Sequence, residues 1–205
     1  MATSLHDDRL NTVLAALRAH GAARVLDLGC GDGPLMLALG GDKFFTQITG
    51  LDISRKALEA CRHKLAEAGL NQDQRLRVLE ASFTEANDDL RGYDAAVLLE
   101  TIEHIPPDRL SQVERAVFNH FKPGLVVITT PNQECNELLG VPAHRMRHPG
   151  HTFEWTRAKF ETWAGGVAGR NGYGVVCSGI GWSHPVFGAA SQMALFTRNA
   201  ANELT

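Results

Sequence analysis

Apolar residues first recur at helical spacing, where Leu10, Val13, Leu14 and Leu17 line one face of an expected helix that Gly21 closes. An apolar run at 24–28 then predicts a strand leading into Gly29-Cys30-Gly31-Asp32-Gly33, after which Leu35, Met36 and Leu39 resume the helical period. The grammar repeats. Residues 46–51 read as a strand closed by Asp52, Ser54 as a helix N-cap, and 57–65 as the helix it starts. Residues 76–79 and 93–99 are further strands, the second so evenly apolar that it should be buried on both faces of a parallel sheet. Pro106, Pro107 and Asp108 open a helix through Val113, Val117 and Phe121, and 124–129 is a fifth strand. A helix is expected over about 156–168, and strands at 174–179 and 192–198 end the chain with no helix between them. The pattern predicts an α/β fold: an open, mostly parallel, doubly wound sheet with a C-terminal antiparallel hairpin.

Composition narrows the class. A chain of 205 residues, 44% hydrophobic and 21% charged, is expected to form a single domain over 1–205. A formal charge of -3 gives no overall positive field, so any contact with a polyanion must be local. The four cysteines form no C-x-x-C pair, which argues against a disulfide framework or a thiolate zinc site and suggests a reducing cytoplasm. With no basic leader before an apolar core and no apolar run of spanning length, a soluble protein without a membrane partner is expected.

Ligands of open α/β sheets lie beyond the carboxyl ends of the strands, where the glycine turn, Asp52, Ser82 and Glu100 would meet. Glycines 29, 31 and 33 permit a sharp turn and close approach to a ligand, and Asp52 is placed to accept hydrogen bonds from ribose hydroxyls. Asp32 puts negative charge at the helix start, which disfavours a dinucleotide's pyrophosphate. After the fourth strand, Glu100, Glu103 and His104 sit three and four residues apart, so on a helical turn they would converge. His151 is available as a fourth ligand. Two carboxylates and two imidazoles suit Mn²⁺, Mg²⁺, Fe²⁺ or Zn²⁺. The polar segment 134–154 is long for a connection and is a candidate lid. Its Arg145 and Arg147 can grip phosphate or simply face solvent, whereas Phe153, Trp155 and Trp163 read more simply as core.

The unit Asp27-Leu28-Gly29-Cys30-Gly31-Asp32-Gly33 resembles the cofactor loop of S-adenosylmethionine-dependent methyltransferases. The resemblance implies their Rossmann-like fold, a role for Asp27 in holding the cofactor's methionine part, and adenine contacts from Ser82 and Phe83. Glu100, Glu103 and His104, with Pro131-Asn132, Asn136, Arg147-His148, His151 and Phe153-Glu154-Trp155-Thr156-Arg157, then resemble the small-RNA 3′-terminal ribose 2′-O-methyltransferase family, in its bacterial form. That resemblance covers nearly the whole chain. It implies methylation of the terminal 2′-hydroxyl of RNA by S-adenosylmethionine, with one divalent metal, Mn²⁺ favoured and Mg²⁺ possible. The ligands would be Glu100, Glu103, His104 and His151, within a metal and substrate segment at about 131–157. Glu103, His104 and His148 would be the catalytic side chains, His148 as proton acceptor. The expected partners are an RNA 3′ end and a separate RNA-repair or small-RNA pathway protein. Gly150 and Cys135 depart from the family, which often has an acidic and an aromatic residue there. A metal-dependent methyltransferase of catechol-like diols and an inactive RNA-binding or assembly subunit are the competing readings.

Overall fold

The computed structural model describes residues 2–199. Its strands are β1 (Arg24–Leu28), β2 (Gln47–Asp52), β3 (Leu76–Glu80), β4 (Ala95–Leu99), β5 (Leu125–Pro131), β6 (Tyr173–His184) and β7 (Gly188–Arg198). They form one sheet in the order β3-β2-β1-β4-β5-β7-β6, parallel through β5, with β7 antiparallel to both β5 and β6. This is the expected α/β architecture, Rossmann-like with a C-terminal antiparallel hairpin.

Alternation along the strands divides the interior into two cores. Ala95 and Val97 of β4, with Leu125 and Val127 of β5, pack under α1 (Ala2–Ala19), α2 (Pro34–Gly40) and α3 (Arg55–Glu67). Their neighbours Ala96, Leu98, Val126 and Ile128 face the other way. They meet α4 (Leu110–Glu114, continued as a π-helix over Arg115–Phe121) and α5 (Arg157–Asn171). Full burial of each Val, Leu or Ile among them contributes about 1.5–3 kcal/mol, so the two central strands are fixed from both faces. Ser54 caps α3 as expected, its Oγ accepting from Ala57 N at 3.3 Å.

Two departures from the sequence reading concern element type and length. The helix after Pro107 widens into π turns, and Phe118 is buried there along with Val117 and Phe121. The terminal hairpin is much longer than expected, because β7 supplies a ladder for the glycine- and serine-rich β6 that its own composition would not favour. A bulge between Ile180 and Ser183 lets β6 pass close to α1, where Gly181 (φ 82°) leaves no space for a Cβ beside Leu5. No helix among the described residues is long and apolar enough to cross a membrane.

Candidate active site

The carboxyl ends of β1, β2, β4 and β5 bring the glycine turn, Asp52, Glu100 and Asn132 to one edge of the sheet. Gly29 has a left-handed φ of 80°, and a Cβ there would lie 2.5 Å from Thr101 Cγ2, so the turn packs tightly against the residue following Glu100. Around Gly31 the space is open. Asp52 holds the turn, with Oδ2 accepting from Gly31 N at 3.0 Å and Oδ1 from Ser54 N at 2.8 Å.

Asp27 lies in β1, two residues before the glycine turn. It is 2% exposed, and its Oδ2 has no hydrogen-bond partner. Burial, followed by the neighbouring Cys61 and Asp52, pushes its carboxyl up to about 8. A buried carboxyl with an unused oxygen close before the glycine turn suits a ligand carrying an ammonium group, as the methionine part of S-adenosylmethionine does.

Glu100 does not sit on a helical turn. Its φ of 51° turns the chain sharply out of β4, and Ile102–His104 follows as a single 3₁₀ turn. The strained residue lets Glu100 and Glu103 share one buried spot. Arg9 Nη2 lies 2.9 Å from Glu100 Oε2, and Thr130 Oγ1 donates to Glu103 Oε2 at 3.0 Å. Both Oε1 atoms are buried without partners. Burial raises both carboxyl pKa values, and the Glu100 charge pushes Glu103 up further. Two crowded carboxylates with unused oxygens are a donor set that a cation would relieve.

Three imidazoles close the site. His104, His148 and His151 each place a ring nitrogen within 4.8 Å of the others, and the charge of His151 reaches Glu100. His104 Nδ1 is 3.1 Å from Gly150 O, and His151 Nδ1 is 2.5 Å from Glu154 Oε1. Both partners are acceptors, so each Nδ1 carries the proton and each Nε2 keeps a free lone pair. Burial, then the charges of His151 and His148, lower the His104 pKa and favour the neutral ring. Of the four expected ligands, His104 and His151 fall, with His148, in one group of ring nitrogens within 4.8 Å, whereas among the described residues Glu100 and Glu103 lie outside that group, linked to it by the charge of His151 acting on Glu100.

The 134–154 segment, the candidate lid, is anchored at both ends. Thr152 N donates to Glu103 O at 2.7 Å, a bridge pairs Asn132 with Trp155, and Arg157 Nε donates to Glu134 Oε2 at 2.9 Å. The first of these bonds ties the residue after His151 to the backbone of Glu103.

The methyltransferase domain family matches residues 25–124. A mouse protein described as a small RNA 2′-O-methyltransferase is 32% identical over 95% of this chain, which spans only 51% of that relative's length. The solved structure of small RNA methyltransferase HEN1 is 34% identical, with a TM-score of 0.87, over 97% of this chain and 26% of its own. The solved methyltransferase domain of bacterial CtHen1 is 40% identical and superposes with a TM-score of 0.86, over 96% of this chain and 100% of that one. The chain belongs to the small RNA 2′-O-methyltransferase, or Hen1, family. The methyltransferase fold expected from the sequence is therefore shared with Hen1 domains along nearly its full length.

Within this Hen1 domain several expected residues sit differently from the sequence reading. Cys30 Sγ points into the core, so any ligand contact there would come from its backbone. The Phe83 ring is buried beside Gly29, and Ser82 Oγ is engaged by Thr84, 2.7 Å from its Oγ1. Asp32 is paired with Lys64 at 2.5 Å, so its charge is already balanced. Arg147 neither faces solvent nor offers its guanidinium to phosphate. It donates to Asn136 Oδ1 at 2.7 Å, to Ala190 O at 2.8 Å and to Asn132 O. Phe153 and Trp155 are core residues, stacked at 4.2 Å, as expected.

Two contributors were missed. Glu154 is the acceptor behind His151 and also takes Asn136 Nδ2 at 2.5 Å and Arg147 N at 2.8 Å. Burial works against its charge, but these hydrogen bonds outweigh it and hold its pKa below the usual carboxylate range. Its place three residues after His151 was the available signal. Arg9, joined to Ser191 Oγ at 2.8 Å across 182 residues of sequence, had none.

Proposed function

We propose that this domain transfers a methyl group from S-adenosylmethionine to the 2′-hydroxyl of the 3′-terminal ribose of RNA, using one divalent cation. Glu100, Glu103, His104 and His151 would hold that cation, Mn²⁺ by preference because it accepts carboxylate and imidazole ligands together, with Mg²⁺ as the alternative. The observation that carries the reading is the pair of orphaned, buried Oε1 atoms of Glu100 and Glu103, with the charge of His151 acting on Glu100 and the Nδ1 atoms of His104 and His151 turned to acceptors. Family membership supplies the reaction class and the kind of acceptor.

The chain's own residues divide the work. Asp27 would take the cofactor's ammonium, Asp52 its ribose, and the open side of Gly31 its close-lying atoms, with Ser82 and Phe83 bordering the adenine. Thr152, Glu154 and Gly150 fix the imidazoles relative to Glu103 through backbone and side-chain hydrogen bonds. The cation, when bound, supplies the positive charge that makes a vicinal ribose diol easier to deprotonate and orients it. The 2′-oxygen bonds to the sulfonium methyl as the carbon–sulfur bond breaks, its proton leaves to solvent, and S-adenosylhomocysteine departs. His148 is not the proton acceptor in this reading, because its Nδ1 accepts Gly150 N–H at 3.0 Å.

Labelled S-adenosylmethionine, Mn²⁺ and matched RNAs ending in a 2′,3′-diol, a 2′-deoxyribose or a 3′-phosphate test the proposal. Transfer to the diol-ended RNA alone is expected. Transfer only to a small catechol, or to no acceptor, would overturn it in favour of the small-molecule or scaffold reading.

A further inference from the structure

The three gathered imidazoles are not equivalent, because their Nδ1 partners differ in kind. His104 and His151 face acceptors, Gly150 O and a Glu154 carboxylate oxygen, whereas His148 Nδ1 faces a donor, the Gly150 N–H at 3.0 Å. A ring nitrogen that accepts a hydrogen bond carries no proton, so the neutral His148 ring bears its hydrogen on Nε2. Gly150 thus sets two rings in opposite senses, its carbonyl fixing His104 with Nε2 bare and its N–H fixing His148 with Nε2 protonated. A Cβ at this position would stand 3.0 Å from His148 Nδ1 and 3.2 Å from His104 Nδ1, so the glycine sits in close contact with both rings.

We infer that His148 is neither a metal ligand nor a base but a hydrogen-bond donor that recognises the 3′-oxygen of the terminal ribose. This rests on the function proposed above for the same site. Protonated Nε2 has no lone pair for a cation and cannot take a proton. Its remaining use is to meet an acceptor, and His148 itself is exposed at the mouth of the site. A donor aimed at the 2′-oxygen would withdraw the electron pair that attacks the methyl group. The neighbouring 3′-oxygen does not react and can accept without that penalty. His148 is on this account a specificity-determining residue for a diol end.

Three measurements on the full chain test this. Long-range ¹H–¹⁵N NMR in Mg²⁺ should show His148 with bare Nδ1 and protonated Nε2. Mn²⁺ binding should be unchanged within twofold in His148→Ala, although His151→Ala loses it. With RNA ending in the diol, His148→Ala should lower kcat/KM about tenfold, the size of one hydrogen bond, and His148→Gln, which keeps an N–H, should recover most of it. With a 3′-deoxy end, His148→Ala and the unaltered protein should be equal. A proton on Nδ1, a tenfold loss of Mn²⁺ affinity in His148→Ala, or the same rate loss on both RNAs would each overturn the inference. If no RNA accepts methyl, the proposed function fails, and the NMR and Mn²⁺ measurements still decide whether His148 is a donor.

Discussion

Glu154→Gln should weaken metal binding more than it weakens the fold. The carboxylate receives three donors: His151 Nδ1 at 2.5 Å and Arg147 N at 2.8 Å on Oε1, and Asn136 Nδ2 at 2.5 Å on Oε2. A glutamine amide has one acceptor. If its oxygen faces His151, its NH₂ opposes Asn136; if reversed, it opposes both His151 and Arg147. One buried donor conflict is therefore unavoidable, at a cost of about 1–3 kcal/mol. For a chain of this size that corresponds to a fall of roughly 2–12 °C in Tm. The larger consequence is that His151 loses the acceptor that fixes its tautomer, and removing such an outer partner typically costs about 10–100-fold in metal affinity. Calorimetric Mn²⁺ binding, beside thermal unfolding without metal, separates the two effects. Mn²⁺ affinity within threefold of the unaltered protein, together with the lower Tm, would refute the reasoning by showing that Glu154 supports the fold and not the imidazole.

Asp27, whose carboxyl is pushed up to about 8, is mostly protonated at neutral pH in the cofactor-free protein. Because the folded-state value is raised, its contribution to stability is complete below about pH 4 and is lost as pH climbs towards 8. An ammonium placed beside it reverses the preference, so S-adenosylmethionine binding at pH 7 should release close to one proton, visible as a calorimetric enthalpy that varies with buffer; no buffer dependence would count against the assignment. Saturating Mn²⁺ at about 100 times Kd should stabilise the fold by about 2.7 kcal/mol, or roughly 5–10 °C in Tm, whereas superimposable melting curves with chelator and with Mn²⁺ would remove the case for a site. Arg147→Lys should cost about 2–3 kcal/mol, since an ammonium cannot replace a fork that reaches three oxygens. Unchanged stability with weaker RNA binding would instead restore the phosphate role.

The central architecture was legible because each buried strand carries its own signal: the evenly apolar β4 and β5 could only lie between two helical layers. The glycine turn was legible from its own motif, whereas Asp27 was singled out through the family resemblance. The shape of the Glu100 turn was not, since spacing alone suggested an α-helical face, whereas a left-handed residue and a 3₁₀ turn bring the carboxylates together. The hairpin was underestimated because glycines and serines in β6 hide a strand that exists by pairing with β7. Arg9 and the ring orientation of His148 depend on contacts that periodicity does not encode, a helix reaching β7 in one case and a single backbone N–H in the other.

The most direct test of the cation site is anomalous X-ray scattering from crystals of the domain grown with Mn²⁺. The account predicts one strong peak bounded by Glu100, Glu103, His104 Nε2 and His151 Nε2, with His148 outside the coordination sphere. No peak there, or an ion held by the three histidines with both glutamates turned away, would contradict it.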